Sequence, residues 1–517
     1  MRARSVYLAV AACAVIVYLG ALWNEFVWDD QVIVLGNPLV QTWAGLATAF
    51  ASPYWPPFVG GYLYRPLTLL TYVLDWHIGG AAWFHVVNLS WHAGVSALVA
   101  VLARRWAGDA AALVAGMLFA VHPVHVEAVA NVVGRAELMA AAFTLLAVYA
   151  AVEADRPVWS AVCWALGLLS KEVAVVAPAL VVAGWGLLGA GGAGGAGGEG
   201  GGGGESLRRP PRRRMVTYAV CWLLAGLVCL TVREVVLHPY ARSHDLAAAF
   251  QRASPLQVRL TAVAALADVA RLLLFPLALR ADYSPGERTT VPSPLEWRFG
   301  LGLLVLATWV ALLALAWRRQ RRLEAYGLAW MALAYAPVAN FLFPIGVVVA
   351  ERTQYLPSVG LALAVAGLAR NLRGRALGLV VGAMAVAGGA RTALRVPVWR
   401  SNMSLTLSIL EDSPRSYVGP MIMATIYLDQ ARPAKAFEAA TTASSIYPDD
   451  PRPYLKAAHA ALALGRPALA DSLLGRFDAL CKGCRGHYAA EAAAARRLGN
   501  TAAADSLAAH VRRLQPR

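Results

Sequence analysis

Long apolar runs separated by short charged loops dominate this chain. They predict membrane-spanning helices near residues 6–23, 83–103, 109–127, 137–153, 157–170, 172–190, 215–232, 298–317, 323–343, 352–369 and 376–393. An apolar helix of about 20 residues crosses the hydrocarbon core of a bilayer. The pattern therefore predicts an all-α fold, with a polytopic helical membrane domain of about eleven spans over residues 1–398.

Two further segments are apolar but do not fit this spacing. Residues 64–78 carry Asp75 and His77, and residues 256–279 carry Arg259, Asp268 and Arg271. A crossing by either segment would break the charge pattern of the loops that follow. We interpret both as interfacial or re-entrant helices on the outer face of the membrane.

The distribution of basic residues predicts the orientation. With 59% hydrophobic and 15% charged residues, the chain is not an ordinary soluble protein, so its net charge of +16 does not indicate nucleic acid. Arginines cluster in short loops at 104–105, 212–214, 318–322 and 370–375, the pattern of cytoplasmic loops. The N-terminus and the glycine-rich loop 189–214 are then cytoplasmic, and an odd number of spans places the C-terminus outside.

A repeat begins after the last predicted span. The segments starting at Arg432, Arg466 and Asn500 are alanine-rich, similar to one another and offset by 34 residues. This period is typical of tetratricopeptide repeats, in which stacked helix pairs bury one another's apolar faces. We predict an extracytoplasmic α-solenoid over residues 399–517, with Cys481 and Cys484 as a disulfide or two free thiols.

Polar residues are dense at the predicted outer ends of the spans, where they are costly unless paired or lining a wet cavity. Asp29 and Asp30 directly follow the first span, and we interpret one as a general base and the other as a residue that orients the loop. The remaining candidates for binding a donor or its phosphate are Arg65, His85, His122, His125, Glu127, Arg135, Lys171, Glu351, Arg352 and Tyr355.

Each candidate also has a structural interpretation. Arg135, Lys171 and Arg352 could neutralise a lipid phosphate, or could snorkel and pair with the nearby Glu137, Glu172 and Glu351. His122, His125 and Glu127 have a spacing that resembles a metal site, but Pro123 interrupts the segment. We predict no metal site there and leave a divalent cation open as a cofactor.

The order of several blocks carries a family resemblance. The blocks that begin at Phe26, Tyr64, His85, Phe119, Val133, Ser170, Asp282 and Ala350 resemble, in the same order, the transmembrane and tetratricopeptide repeat-containing O-mannosyltransferase family. That family is similar to the GT-C class of multispan glycosyltransferases.

The resemblance implies transfer of a hexose, mannose above all, from a polyprenyl-phosphate donor to Ser or Thr hydroxyls of an extracytoplasmic protein. The repeats could bind the acceptor protein. The short repeat array and the compact loops favour a multi-pass protein of a plasma membrane, with the endoplasmic reticulum membrane expected in a eukaryote. Asp29 is preferred slightly over Asp30 as the base. A lipid-linked glycan polymerase or ligase, a transporter and a non-enzymatic tetratricopeptide scaffold remain alternatives.

Overall fold

The computed structural model of the chain describes residues 3–56, 62–189, 210–240, 247–481 and 485–513. Regular structure in these ranges is helical, and they contain no β-strand. The predicted all-α fold class is confirmed. Most of the predicted glycine-rich loop, residues 190–209, lies outside the described residues. Cys481 is disulfide-bonded, and Cys484 also lies outside them.

The described part of the membrane region contains α-helices of very different length. They are α1 (Ala3–Tyr18), α2 (Gly45–Thr48), α3 (Pro66–Ile78), α4 (Ala81–Ala120), α5 (Val126–Ala130), α6 (Arg135–Val148), α7 (Pro157–Ser170), α8 (Ala177–Leu187), α9 (Arg212–Leu237), α10 (Pro255–Leu274), α11 (Trp297–Arg318), α12 (Arg322–Tyr335), α13 (Tyr355–Ala369) and α14 (Gly374–Arg395).

Six helical segments of the described chain are long and apolar enough to cross a membrane. They are Ala3–Trp23, Ala81–Ala120, Val132–Glu153, Arg212–Leu237, Trp297–Arg318 and Gly374–Trp399. Four other predicted spans coincide with the shorter helices α7, α8, α12 and α13. The protein is therefore a multi-pass membrane protein, and the count of eleven spans stays a prediction.

The 40-residue helix α4 accounts for two predicted spans. Its backbone leaves the helical conformation at Gly108, where φ is +84° and ψ is −171°. Only glycine adopts this conformation without strain, so the sequence breaks the helix there. Arg104 and Asp109 pair across the break at 2.6 Å. The two halves correspond to the spans predicted at 83–103 and 109–127.

Glycine also allows the helices to pack closely. A Cβ atom on Gly327 of α12 would lie 2.4 Å from the carbonyl oxygen of Gly360 on α13, and a Cβ on Gly360 would lie 2.3 Å from that of Gly327. Gly116 of α4 similarly lies against Val10 of α1. Small residues at such crossings let membrane helices gain van der Waals contact, which is a principal source of their association.

The two ends of the helical bundle carry different charged residues. At one end, Arg105 lies 3.8 Å from Glu153 and Arg214 lies 3.1 Å from Asp155, which joins the arginine-rich loops. Helix α6 runs from this end to the other, where Arg135 begins it. The acid-bearing loops collect at that second end, which we call the acidic end.

Seven helices follow the membrane region, within the described residues. They are α15 (Asn402–Asp412), α16 (Val418–Asp429), α17 (Pro433–Ile446), α18 (Arg452–Ala463), α19 (Pro467–Leu480), α20 (Arg485–Arg497) and α21 (Thr501–Arg513). Helices α17, α19 and α21 begin 34 residues apart. The turns before them hold Ala431, Gly465 and Gly499, also spaced by 34, and all three have positive φ. The tetratricopeptide assignment of this array stays a prediction.

Candidate active site

The two adjacent acids after the first span have different surroundings. The carboxylate of Asp30 is fully buried and accepts the backbone N–H groups of Val27 at 3.1 Å, Val133 at 2.8 Å and Val132 at 3.4 Å. Asp29 is half-buried and has no hydrogen-bond or ion-pair partner among the described residues. Asp30 is therefore committed to holding the loop, and Asp29 is available.

A turn with unusual geometry precedes this pair. Trp28 has a φ of +50°, a left-handed conformation that costs a non-glycine residue on the order of 1 kcal/mol. Its backbone N–H donates to the side chain of Asn402, at the start of α15, over 2.9 Å. The turn and the repeat array thus hold the Asp29 position together.

Cationic side chains surround Asp29. Burial raises the pKa of Asp29 above its ordinary value, and nearby Arg352, Arg452, Arg65 and Lys171 oppose that rise. Burial also raises the pKa of Asp30 to about 7, against the backbone N–H groups that favour its charged form. The free carboxylate and four cations therefore meet at the acidic end.

Three of these cations form ion pairs with acids distant in the chain. Arg65 binds Glu172 through two of its nitrogens, with Nη2 at 2.8 Å. Lys171 pairs with Glu137. The sequence left open whether this lysine pairs with Glu137 or Glu172, and Glu137 is the partner. Consecutive side chains diverge, so the two residues reach different partners.

Arg352 closes the cluster from the start of α13. Its backbone N–H and its Nη1 both donate to Glu127, at 2.8 and 3.0 Å. The adjacent Glu351 instead accepts the backbone N–H of Arg280 and the hydroxyl of Tyr283. Burial raises the pKa of Glu351 to about 8.

Arg135 lies outside this cluster. It is fully buried, pairs with Asp75 on α3, and donates to Asn88 at 2.8 Å and to the carbonyl of Phe84 at 2.9 Å. Glu137, one of the acids considered as its partner, pairs with Lys171 instead. The ring of Tyr72 also stacks on the guanidinium, 4.9 Å away. Arg135 therefore joins α3, α4 and α6, and we assign it a structural role.

The candidate histidines are buried among aromatic rings. His125 lies 4.7 Å from the Tyr355 ring, and its Nε2 bonds Ser358 at 2.7 Å, while His122 bonds the carbonyl of Leu273 at 3.0 Å. His85 is buried as well. No group of three or more potential metal ligands stands together in the part of the chain that the structure describes.

Two serines of the repeat array also contact Asp282 at the acidic end. Ser413 donates to the backbone of Asp282 at 2.8 Å and Ser416 to its carboxylate at 2.6 Å. Arg452 of α18 pairs with Asp450 at 2.7 Å and contacts the Tyr417 hydroxyl at 2.9 Å. The array thus supplies one of the cations that act on Asp29.

Comparison with known proteins identifies relatives of one kind. The human protein O-mannosyl-transferase TMTC4 is 28% identical over 463 residues, covering 79% of this chain and 62% of the relative. Mouse TMTC3 is 27% identical over 384 residues, and human TMTC1 is 28% identical over 493 residues. The chain is similar to the TMTC proteins over most of its length. The resemblance that the ordered blocks predict is therefore confirmed.

The match to the TMTC proteins covers more of this chain than of them. TMTC3 is matched over 69% of this chain and 41% of its own length, and TMTC1 over 85% and 55%. The chain thus spans about half the length of these relatives. No family model and no solved structure matches the chain.

Several of the blocks that carry the family resemblance meet at the acidic end, although hundreds of residues separate some of them. Three residues that contribute contacts or charge to this region were not identified from the sequence. Asp75 was placed in an interfacial helix without a partner, and Asn402 and Arg452 lie in the repeat array. The positive φ at the turn cannot be read from the sequence. The charge of Arg452 can be read, but it does not by itself indicate a role at the site.

Proposed function

We propose that this protein is a membrane glycosyltransferase that moves a hexose, mannose by analogy with the names of its relatives, from a polyprenyl-phosphate donor to a Ser or Thr hydroxyl. The observation that carries the proposal is the half-buried Asp29 carboxylate, without a described partner, beside Arg352, Lys171 and Arg65. The relatives are named protein O-mannosyl-transferases.

A base is needed because an alcohol is a weak nucleophile at neutral pH. As its oxygen bonds to the anomeric carbon, a carboxylate must accept the hydroxyl proton. Asp29 can do so, since no other group in the described chain occupies its oxygens. Asp30 is poorly suited, because losing its three backbone hydrogen bonds would release the loop. We infer direct displacement with inversion at the sugar.

The cations supply the second requirement. The bond from the sugar to the lipid phosphate breaks as the new bond forms, and the departing phosphate gains negative charge. Arg352, Lys171 and Arg65 would stabilise that charge. Their acidic partners keep them ordered before the donor arrives. A guanidinium can shift from a carboxylate to a phosphate with little change in geometry.

The same geometry supports an extracytoplasmic site. The arginine-rich loops meet at the end of the bundle opposite Asp29, and such loops favour the cytoplasm. The repeat array lies on the Asp29 side, where Asn402 and Arg452 approach the base. We infer that the acceptor protein reaches the base along the array, on the outer face of the membrane.

Purified protein in nanodiscs tests this function directly. It should transfer mannose from polyprenyl-phosphate mannose to Ser- and Thr-containing peptides, which mass spectrometry would detect as an added hexose. Peptides with Ala in place of Ser and Thr should stay unmodified. Elongation of a lipid-linked glycan without peptide modification would instead indicate a polymerase or ligase, and no transfer from any lipid-phosphate sugar would favour a scaffold.

A further inference from the structure

Two arginines converge on one exposed turn after α10. Arg391 of α14 donates through Nε and Nη2 to the carbonyl of Leu277, at 3.1 and 2.8 Å. Arg271 of α10 donates through Nη1 to the carbonyl of Ala278, at 2.6 Å. The ends of α10 and α14 therefore bring two guanidinium groups to neighbouring peptide units. We call this place the arginine crevice.

A third arginine lies one helical turn beyond. The side chain of Arg395 is only 6% exposed, and its Nη1 donates to Asp412 at 2.8 Å and to Ser408 at 3.2 Å. Its Nε and Nη2, and also Nη2 of Arg271, are buried without a hydrogen-bond partner in the described structure. Hydrogen bonds to the turn account for the bonded nitrogens of Arg271 and Arg391. They do not account for the three nitrogens that have no partner.

The charge balance of the crevice favours an anion. Arg391 and Arg395 have Asp412 as a nearby counter-charge, and Glu351 is the other acid near these two arginines. Burial raises the pKa of Glu351 to about 8, so this acid is mostly protonated at neutral pH. Buried guanidinium N–H groups without acceptors are costly, and a bound anion would lower that cost.

The rim of the crevice is apolar and exposed. Leu277 is 74% exposed and follows Leu274 and Phe275 on the turn after α10, while Leu394, next to Arg395 on α14, is 75% exposed. The segment Gly374–Trp399 is a candidate membrane span, and the crevice lies near its end. Cations beside exposed apolar side chains at the end of a span suit an anionic lipid, which presents a charged phosphate next to its hydrocarbon chains.

We propose that the arginine crevice binds the phosphate of an anionic lipid, with Arg271 and Arg391 contacting the phosphate and Arg395 adding positive charge behind them. The hydrocarbon chain would lie on Leu274, Phe275 and Leu394. This site is separate from the carboxylate of Asp29, and lipid binding there requires no sugar transfer. A polyprenyl phosphate and a phospholipid share this chemistry, so the test compares both.

Native mass spectrometry of the full-length protein in detergent measures the binding. Polyprenyl phosphate, phosphatidylglycerol, phosphatidylcholine and inorganic phosphate are titrated separately against the wild type and the double variant Arg271→Gln/Arg391→Gln. The matched control is Arg400→Gln, because Arg400 is an exposed arginine just beyond the same span. The wild type and the control should bind an anionic lipid at least about tenfold more tightly than the double variant.

The comparison among ligands identifies the source of the phosphate. Stronger binding of polyprenyl phosphate assigns the crevice to a lipid carrier, and stronger binding of phosphatidylglycerol assigns it to a membrane phospholipid. Equal binding by the double variant and the wild type would overturn the proposal, as would equal affinity for inorganic phosphate.

A second readout does not depend on folding of the variant. In the wild type, an anionic lipid should raise the melting temperature above the value in phosphatidylcholine. Equal melting temperatures in the two lipids would also overturn the proposal. Neither readout involves a sugar donor. Failure of lipid binding and failure of the proposed sugar transfer are therefore distinguishable results.

Discussion

The side chain of Asp30 accepts the backbone N–H of Val133 at 2.8 Å, which joins the first outer loop to the start of α6. It also accepts the N–H groups of Val27 and Val132. One buried carboxylate thus fixes two segments that are about a hundred residues apart in the chain. This contact determines where the neighbouring Asp29 lies.

Replacing Asp30 should therefore weaken the fold. Asp30→Asn puts an amide nitrogen where backbone N–H groups need an acceptor, and leaving one buried N–H unsatisfied costs about 1–3 kcal/mol. We expect the melting temperature in detergent to fall by a few degrees, and Asp30→Ala to lower it further. Asp29→Asn is the control, and its change should be much smaller. Equal shifts for the two Asn variants would contradict the division of roles.

The pair of Arg352 and Glu127 tests the phosphate-binding role. A single Arg352→Gln variant leaves a buried carboxylate unpaired, so the double variant Arg352→Gln/Glu127→Gln is the better probe. We expect it to fold and to lose on the order of a hundredfold in kcat, because a cation at the departing phosphate is missing. The measurement is steady-state transfer from the lipid-phosphate sugar.

A matched pair at the opposite end of the bundle supplies the control. Arg214, at the start of α9, lies 3.1 Å from the exposed Asp155. The variant Arg214→Gln/Asp155→Asn should retain the kcat of the wild type. A similar loss in both double variants would indicate general damage to the protein instead of a missing phosphate contact.

Glu351 predicts a pH dependence of stability. Its folded pKa of about 8 lies above that of the unfolded chain, about 4.3, so its stabilising contribution is complete below the unfolded value. Stability is then lost as pH rises toward 8, by up to about 1.4 kcal/mol per pH unit. Glu351→Gln removes this dependence. As pH rises from 5 to 9, the melting temperature of the variant should therefore increase relative to that of the wild type.

The exposed Glu411 provides the control for that measurement. Glu411→Gln should follow the pH profile of the wild type in parallel. A constant difference between Glu351→Gln and the wild type across this range would show that Glu351 is ionised throughout, contrary to its buried position.

Arg452 predicts a shift in the pH profile of activity. Its positive charge favours the ionised form of Asp29, so Arg452→Gln should raise the pKa of Asp29. Since the base acts when deprotonated, the acidic limb of kcat/KM should move to higher pH, by up to about one unit. Arg466→Gln, at an exposed position of the array, should leave the profile unchanged. An unchanged profile for both variants would show that Arg452 does not influence the ionisation of Asp29.

Much of the fold follows from periodicity. The apolar runs locate the long helices, and the 34-residue spacing places the starts of α17, α19 and α21. The two spans around Gly108 correspond to the two halves of α4, which is broken at this glycine. Short helices such as α12 and α13 show why length alone does not decide which segments cross a membrane.

The site could be predicted only in part. The ordered blocks point to Asp29, Lys171 and Arg352, but the ion pairs depend on which helix faces which. Lys171 and Glu172 are consecutive and bind Glu137 and Arg65 respectively, on different elements. Adjacent positions suggest pairs that the geometry forbids. Contacts such as Trp28 with Asn402 connect residues too distant in sequence for any local pattern to indicate.

Asp29 is the residue on which the proposed transfer depends most, and the kcat of Asp29→Asn is the most direct test of its role. Transfer of mannose from polyprenyl-phosphate mannose to a Ser/Thr peptide should be measured in nanodiscs at saturating donor and acceptor. We expect kcat to fall at least about a hundredfold, with a melting temperature close to that of the wild type. An Asp29→Asn protein that transfers mannose at the wild-type rate would contradict the assignment of Asp29 as the base.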